Sequence, residues 1–543
     1  MASRHVSRGP AALSRAARTM GALARATVAP AVASSSRTMA AKPLVRARAA
    51  RAMATKPLAR ATAQTPPAFA CSNLLIGGAL RGAERGATFD VVDPSSGAAF
   101  ARVPDASESD LDDAVAAAAA AFPAWAAAPW AARCDAFAEA AALLEARRDE
   151  FADALTREQG KPLRAAQHEV DACVAGFRGA YRRDEPLLRP RATHESATHR
   201  YEVHDVPRGV VAAITPWNFP MLMLKNKLLE ACVSGNTCVL KPSPHTPLTT
   251  TMFAAIAGDA FPPGVVNVLP GSDALGAALA AHRDVATVSF TGSVATGKAI
   301  AAAAAPALKR VVLELGGNDP ALVLPDADLE AAAPAIFRAA MLNSGQVCVA
   351  VKRAYVHASR HDELVDRLAA LAAKARVGDG LARGVQYGPL NNAAQRDRVR
   401  ALVDDAVAAG GAVAAGGDAY AGENGFFYAP TIVAGVADGA RLVDEEQFGP
   451  ALPVVSYDDV DDAVGRCNAS DFGLSASVWT SDVDRGYEVA NRLEAGTVSV
   501  NQHMAGHDTL PFGGFKHSGL GREGGREIGL REYTEYRSCV VPR

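Results

Sequence analysis

Three side chains, far apart in the chain, have the types and settings that acyl chemistry needs. Cys348 lies in Asn343-Ser344-Gly345-Gln346-Val347-Cys348-Val349-Ala350. A thiolate is the reactive form of cysteine, and the small and polar neighbours predict a reachable, activated thiol; the plainer reading is a small buried hydrophobe. Asn218 lies in Ile214-Thr215-Pro216-Trp217-Asn218-Phe219-Pro220, directly after an apolar run. Two prolines stiffen that loop, so its amide could serve as a fixed donor to an oxyanion, or could simply satisfy the turn. Glu314 ends the apolar run Val311 to Leu313. A carboxylate at the end of a buried strand is costly unless it is paired or used, which leaves a structural ion pair or a general base with a raised pKa.

A fourth stretch, Phe290-Thr291-Gly292-Ser293-Val294-Ala295-Thr296-Gly297-Lys298, reads as a strand-to-helix turn whose free backbone donors suit phosphate. Gly292 and Gly297-Lys298 also have the spacing of a P-loop, which would make the chain a nucleotide triphosphatase. Position 299, however, is Ala, where magnesium binding calls for Ser or Thr. The eight cysteines form no CxxC pair and have no histidine partners at zinc-finger spacing, so a reducing compartment and no structural metal are expected.

The elements that must position these residues follow from periodicity. The chain has 543 residues, enough for two or three units of about 100 to 200 residues each. Leu74 to Ile76 and Ala87 to Val92, bounded by Gly77-Gly78 and Asp93-Pro94-Ser95-Ser96-Gly97, read as hairpin strands. Asp105 to Ala121 and Ala131 to Leu155 carry charges at helical spacing on an alanine background and predict amphipathic helices. From Val210 onward, a continuous apolar run (Val210 to Ile214) and further apolar-rich ones (Val239-Leu240, Val265 to Leu269, Val285 to Phe290) alternate with helical stretches. That alternation predicts βαβ units around a doubly wound, buried parallel sheet. A second series runs from Ala321 to Leu324 through Arg353 to His357, Leu452 to Ser456 and Ser475 to Thr480, and Gly316-Gly317 marks the expected boundary.

Charge is uneven. Residues 1 to 70 hold ten Arg, two Lys and no acid, and the first acidic residue is Glu84. Removing those 12 basic residues leaves 44 against 58 acidic ones, so the rest of the chain carries −14. An Arg-, Ala- and Ser-rich, acid-free leader predicts import into an organelle matrix, the mitochondrion ahead of the plastid. The mildly acidic remainder offers no basic surface for nucleic acid, and no stretch reaches the roughly 20 apolar residues of a membrane span.

Taken in order, PWNFP (216–220), GNTCVLKPS (235–243), FTGS (290–293), ELGGN (314–318), GQVC (345–348), EEQFGP (445–450) and PFGGFKHSGLGRE (511–523) resemble the aldehyde dehydrogenase superfamily. The resemblance covers roughly residues 71–543. It implies an α/β protein in which a Rossmann-like NAD(P)-binding domain (71–186 and 208–316) joins a second α/β catalytic domain (317–525). A small β oligomerisation element (187–207 and 526–543) would make a homodimer or homotetramer. Cys348 would attack the aldehyde, Asn218 and the Cys348 N–H would hold the oxyanion, and Glu314 would activate the hydrolytic water. Lys227 and Glu523 would support the site and release protons. The cofactor, NAD or NADP, would be bound by Ile214, Thr215, Pro216, Trp217, Lys241, Ser243, Gly271, Phe290, Gly292, Ser293, Leu315, Gly316, Glu446 and Phe448.

Departures from the family pattern bear on specificity. The position at which NAD-preferring relatives carry an acidic ribose ligand is Pro244, so NADP should be tolerated. Asn226 stands where relatives specific for succinate semialdehyde carry an arginine. The loop Asn501 to Asp508 corresponds to the substrate entrance, and its His503 and His507, lacking a third ligand, are expected to line it or to be plain loop rather than bind metal. A CoA-acylating enzyme is the nearest alternative, disfavoured by the presence of Glu314; a catalytically silent relative would have no reason to keep Cys348, Glu314 and Asn218 together.

Overall fold

The computed structural model describes residues 73–543 except Ala180, Arg183, Asp418, Ala419, 421–423 and Ala505. The basic leader lies outside the described residues.

Continuous apolar runs become the middle of a first, eight-stranded sheet. Its five parallel strands are Val266–Val268, Thr237–Lys241, Val210–Ile214, Val285–Thr291 and Arg310–Glu314, in that spatial order. In chain order they therefore lie third, second, first, fourth and fifth, the doubly wound arrangement in which ligands bind where the order reverses. That reversal falls between Val210–Ile214 and Val285–Thr291, so the loops carrying Asn218 and Gly292-Ser293 leave the sheet side by side. Every residue of Val210–Ile214 and Thr237–Lys241 is buried, as strands covered by helices on both faces must be. Antiparallel strands close both edges: the hairpin Leu74–Ile76 and Ala79–Arg81 on one side, Gly519–Leu520 on the other. Gly519–Leu520, although far along in the stretch assigned to the second unit, pairs with Arg310–Glu314 of the first sheet.

The chain passes from the first sheet to a second, seven-stranded one between Glu314 and Asp319, at the glycine pair. The second sheet runs Ala412–Ala415, Thr431–Ala434, Ala451–Tyr457, Val351–His357, Asp319–Val323, Ser475–Trp479 and Thr497–Val500, with only its first strand antiparallel. Arg191–Glu195, His199–Pro207 and Thr534–Pro542 form a separate antiparallel sheet, in which the C-terminal strand pairs with its neighbour over nine residues.

The helix expected over Ala131 to Leu155 is two helices, Trp130–Ala146 and Arg148–Gln159. The chain turns at Arg147, whose N–H donates to the Leu144 carbonyl. No glycine or proline marks that turn, so periodicity runs straight through it. No described helix is long and apolar enough to cross a membrane.

Candidate active site

One cavity of about 1160 Å³ takes its walls from the strand ends of both large sheets. Cys348, Asn218, Glu314 and Glu523 all line it, as do Ile214, Thr215, Pro216, Trp217, Lys241, Ser243, Pro244, Phe290, Gly292, Ser293, Leu315, Gly316, Glu446 and Phe448. Two expected site residues do not. Lys227 is fully buried behind Glu523, and Gly271 packs against the helix Asp273–Ala281, where a Cβ would lie 2.5 Å from Leu275 Cδ2. Gly271 is small for packing rather than to let a ligand approach.

The backbone before Cys348 is unusual. Asn343, Ser344 and Gly345 all have positive φ (51°, 57° and 74°), and each non-glycine residue there costs about 1 kcal/mol or more. Neighbouring elements hold the run in place. Asn343 Nδ2 donates to the Asn218 carbonyl (3.2 Å), Ser344 Oγ to the Gly388 carbonyl (2.8 Å), and Gln346 Nε2 to the Asn343 carbonyl (2.8 Å). Gly345 must be glycine on two counts, its φ and a Cβ position only 2.2 Å from the Gly449 carbonyl oxygen. The small polar residues that suggested a reachable thiol therefore shape the turn. The thiol itself is pushed up to about 12, first by burial, with Lys352 opposing and Glu446, Glu314 and Asp319 adding to the rise. Sequence context suggested activation; burial instead opposes ionisation of Cys348, with the Lys352 charge favouring it.

Asn218 Nδ2 donates to the Gln346 carbonyl at 2.9 Å, which fixes its amide against the cysteine turn, and the Asn218 Oδ1 accepts the Phe219 N–H at 3.0 Å. Its own carbonyl is held by Lys161 Nζ at 2.9 Å. Lys161 is buried, pairs with Glu169 at 2.5 Å and lies 3.9 Å from the centre of the Phe219 ring. Within the Cys348 turn, Ala350 N–H donates to the Val347 carbonyl, whereas the Cys348 N–H meets no acceptor among the described residues. One side-chain amide and one free backbone N–H thus meet at the cysteine turn, donors of the kind an oxyanion requires.

Both Glu314 carboxylate oxygens are buried without a hydrogen-bond partner. Burial first, then the Glu523 charge, holds this carboxyl well above the usual range, with Lys227 and Arg522 opposing. Lys227 Nζ donates to Glu523 Oε1 (2.7 Å) and Ser289 Oγ (3.1 Å). Glu230 stands next in this buried acid group and is raised to about 8 by burial and then by Glu523, while its Oε1 accepts the Gly524 N–H at 2.6 Å. Two raised carboxyls that both feel Glu523 make a route along which a proton can be held or passed.

The remainder of the wall fits a dinucleotide. Ser293 caps the helix Val294–Ala304 at the strand-order reversal and opens that helix's N-terminal donors on the cavity. Lys241 is buried there and lowered to about 8 by burial. Gly316 and Gly317 are a close approach as well as a connection: Cβ atoms there would meet Glu446 Oε2 at 2.2 Å and the Cys348 carbonyl at 2.6 Å. Lys298, the P-loop candidate, is exposed and does not line the cavity.

The sequence reading missed several participants. Asp273 lines the cavity and its charge acts on Lys241 and His245. Lys352 and Lys161 are buried behind the reactive loops, and nothing in their local sequence distinguishes them from surface lysines. His503 does not line the entrance. It turns inward to the Val349 carbonyl, while Met504 lines the cavity. His507 bonds its own loop at Thr509, and no group of three or more metal-ligating side chains occurs among the described residues.

Residues 81–539 match the aldehyde dehydrogenase family, and the chain belongs to it. It is 39% identical over 484 residues to a phenylacetaldehyde dehydrogenase of Pseudomonas fluorescens, covering 86% of this chain and 95% of that protein. It is likewise 39% identical over 469 residues to a mitochondrial aldehyde dehydrogenase of Leishmania tarentolae, covering 85% and 93%. The NAD+ complex of an aldehyde dehydrogenase from Bacillus cereus superimposes with a TM-score of 0.84 at 38% identity, covering 87% of this chain and 96% of that one. The protein is an oxidoreductase that oxidises an aldehyde with NAD or NADP.

Proposed function

We propose that this enzyme converts an uncharged, largely apolar aldehyde to its carboxylic acid, with Cys348 as nucleophile. What carries the reading is the meeting of Cys348, its free N–H, Asn218 and Glu314 on one cavity wall. The Cys348 sulfur, once deprotonated, bonds to the aldehyde carbon, and the carbonyl oxygen becomes an oxyanion facing Asn218 Nδ2 and the Cys348 N–H. NAD(P), when bound, supplies the hydride acceptor that turns this thiohemiacetal into a thioester. Glu314 then takes a proton from water as the water attacks the thioester, releasing the acid and the Cys348 thiolate, and Glu523 with Lys227 carries that proton away. A CoA-acylating enzyme would not need a base at Glu314. Ile214–Trp217, Lys241, Ser243, Phe290, Gly292, Ser293, Leu315, Gly316, Glu446 and Phe448 are the cofactor contacts of this reading.

The substrate class rests on what the wall lacks. Leu222, Met223, Leu342, Phe472, Met504 and Phe512 are apolar, and Asn226 adds no charge. Arg398, the lining arginine, is engaged by Glu445 at 3.0 Å, and Lys241 Nζ donates to the Pro242 carbonyl at 3.0 Å. Both of these lining cations already have protein partners and position 226 carries Asn rather than Arg, which argues against a dicarboxylic semialdehyde. The phenylacetaldehyde dehydrogenase relative supports an aromatic or aliphatic choice. Pro244 supports acceptance of NADP beside NAD, while Asp273 is an acid on the same wall that tempers it. A panel of aromatic, aliphatic and semialdehyde substrates with both nucleotides decides between these classes. Preference for succinate semialdehyde, or an NADP efficiency a thousandfold below that of NAD, overturns the corresponding part.

Within the same reading, residues 71–186 and 208–316 act as the cofactor domain and 317–525 as the catalytic one. The sheet of Arg191–Glu195, His199–Pro207 and Thr534–Pro542 joins subunits as a dimer or tetramer. Its C-terminal strand leaves Tyr536 and Val540 exposed, which supports that role. The acid-free leader, together with the mitochondrial relative, supports import into mitochondria.

A further inference from the structure

Behind the cysteine turn lies a buried polar group that the reaction scheme above does not use. Lys352, on the strand Val351–His357, is almost fully buried and donates to the carbonyls of Val347 (2.7 Å) and Cys348 (3.1 Å). It also reaches Glu446 Oε1 and the Gly317 carbonyl, both at 3.5 Å. His503, from the loop after Thr497–Val500, reaches the Val349 carbonyl through Nε2 at 2.9 Å and Ser477 Oγ through Nδ1 at 2.9 Å.

The tautomer of His503 follows from its partners. A carbonyl only accepts, so Nε2 carries a proton. Ser477 Oγ already accepts the Trp479 indole N–H at 3.0 Å, which leaves its hydroxyl proton for Nδ1. Burial of the ring, which lowers its pKa to about 4, keeps this neutral form at any physiological pH. Ser475 Oγ completes the group, donating to Asp319 at 2.6 Å and standing 3.4 Å from His503 Nε2.

Three consecutive carbonyls, of Val347, Cys348 and Val349, are thus taken by two side chains that do not line the cavity, although all three residues do. We propose that Lys352 and His503 are positioning residues for aldehyde oxidation: by holding these carbonyls from behind, they aim the Cys348 N–H and thiol into the cavity. A peptide group is planar, so fixing the Val347 carbonyl also fixes the direction of the Cys348 N–H on the other side of the same peptide. Lys352 has a second effect, since its positive charge is the one that favours the Cys348 thiolate, against Glu446, Glu314 and Asp319. The positive-φ run before Cys348 makes the clamp necessary, because a turn carrying that strain relaxes unless its far side is tied down.

This inference rests on Cys348 being the nucleophile, so the readout is the cysteine itself. The rate of Cys348 alkylation by iodoacetamide, followed by mass spectrometry of its peptide across pH 6 to 10, reports thiolate access without turnover. Lys352→Met should slow alkylation about tenfold at every pH across that range, since one unit of thiol pKa is a tenfold change in thiolate. His503→Phe should leave the alkylation rate within threefold of the parent but lower kcat about 10- to 100-fold, the cost of misaiming an oxyanion donor. His503→Gln, which can still donate to the Val349 carbonyl, should restore most of that loss. Alkylation and kcat within threefold of the parent in both Lys352→Met and His503→Phe overturn the proposal. So does a His503→Gln enzyme as impaired as His503→Phe, which would reduce the histidine to bulk. If Lys352→Met does not fold, the two His503 variants decide alone. A Cys348→Ala enzyme that still turns over removes the premise and is distinguished by that result.

Discussion

Replacing Glu314 by Gln separates the two halves of the reaction. The side chain keeps its shape and loses only the ability to take a proton, so attack by Cys348 and oxidation should proceed while hydrolysis of the thioester stalls. A positioned general base contributes about 10²- to 10⁴-fold, and steady-state turnover should fall by that factor. Rapid mixing with aldehyde and cofactor should show a burst of reduced nicotinamide close to one per active site, followed by a slow phase. Intact-mass measurement should find the acyl group on the protein. Stability supplies a second check. Both Glu314 oxygens are unpartnered, and the folded carboxyl is raised by burial and by Glu523. An acid whose folded pKa exceeds its unfolded value binds more protons folded than unfolded. Its contribution therefore becomes more unfavourable as pH rises from the ordinary carboxyl value through the folded one. Gln cannot ionise, so the variant should melt at or above the parent temperature, with an advantage that grows with pH in that window. In the parent, the same raised pKa makes hydrolysis fade as pH falls, a limb that Glu314→Gln should lack. A variant with no burst, or with turnover within tenfold of the parent, would refute Glu314 as the hydrolytic base.

Cys348→Ala should abolish aldehyde oxidation while leaving cofactor binding in place, measured by nucleotide fluorescence; turnover within tenfold of the parent would end the nucleophile assignment. Gly345→Ala should cost at least about 1 to 3 kcal/mol in chemical denaturation, because its φ is +74° and the new Cβ meets the Gly449 carbonyl oxygen. An unchanged denaturation midpoint would show the turn to be less constrained than its contacts indicate. Pro244→Glu should lower NADP efficiency at least tenfold with little change for NAD, since a carboxylate there would repel a 2′-phosphate. Equal losses with both nucleotides would place the ribose elsewhere, with Asp273 the alternative.

Local residue type was a sound guide wherever one strand or one turn decides the outcome. Val210 to Ile214 is apolar throughout and Val285 to Phe290 largely so because helices cover both faces of their sheet, and the runs appear as strands in the expected places. Glu314 was suspect because it ends such a run, and it emerges as a buried carboxylate with no partner. Gly316-Gly317 marked the passage between sheets, but their smallness has a further cause: Glu446 and the Cys348 carbonyl press on them from 130 and 31 residues away. Contacts over that separation leave no trace in spacing. The eighth strand of the first sheet, Gly519–Leu520, is two residues long and owes its existence to pairing with Arg310–Glu314, so no propensity could announce it.

The cysteine turn shows how such distant contacts change a chemical reading. Asn343, Ser344 and Gly345 could be taken as a mobile, polar setting that leaves a thiol open to solvent. They instead form a strained positive-φ run, with the Asn343 and Ser344 side chains tied to Asn218 and Gly388. What the thiol gains is direction, and it pays in acidity, since the enclosure that aims it also pushes it up to about 12. Lys352 is the counterweight. An aligned but protonated cysteine is inert, and an ionised but freely turning one wastes its oxyanion donors. A lysine that both holds two carbonyls of the turn and places positive charge beside the sulfur meets the two requirements with one side chain, so alkylation rate and thiol titration should change together when Lys352 is altered, and only turnover should change when His503 is.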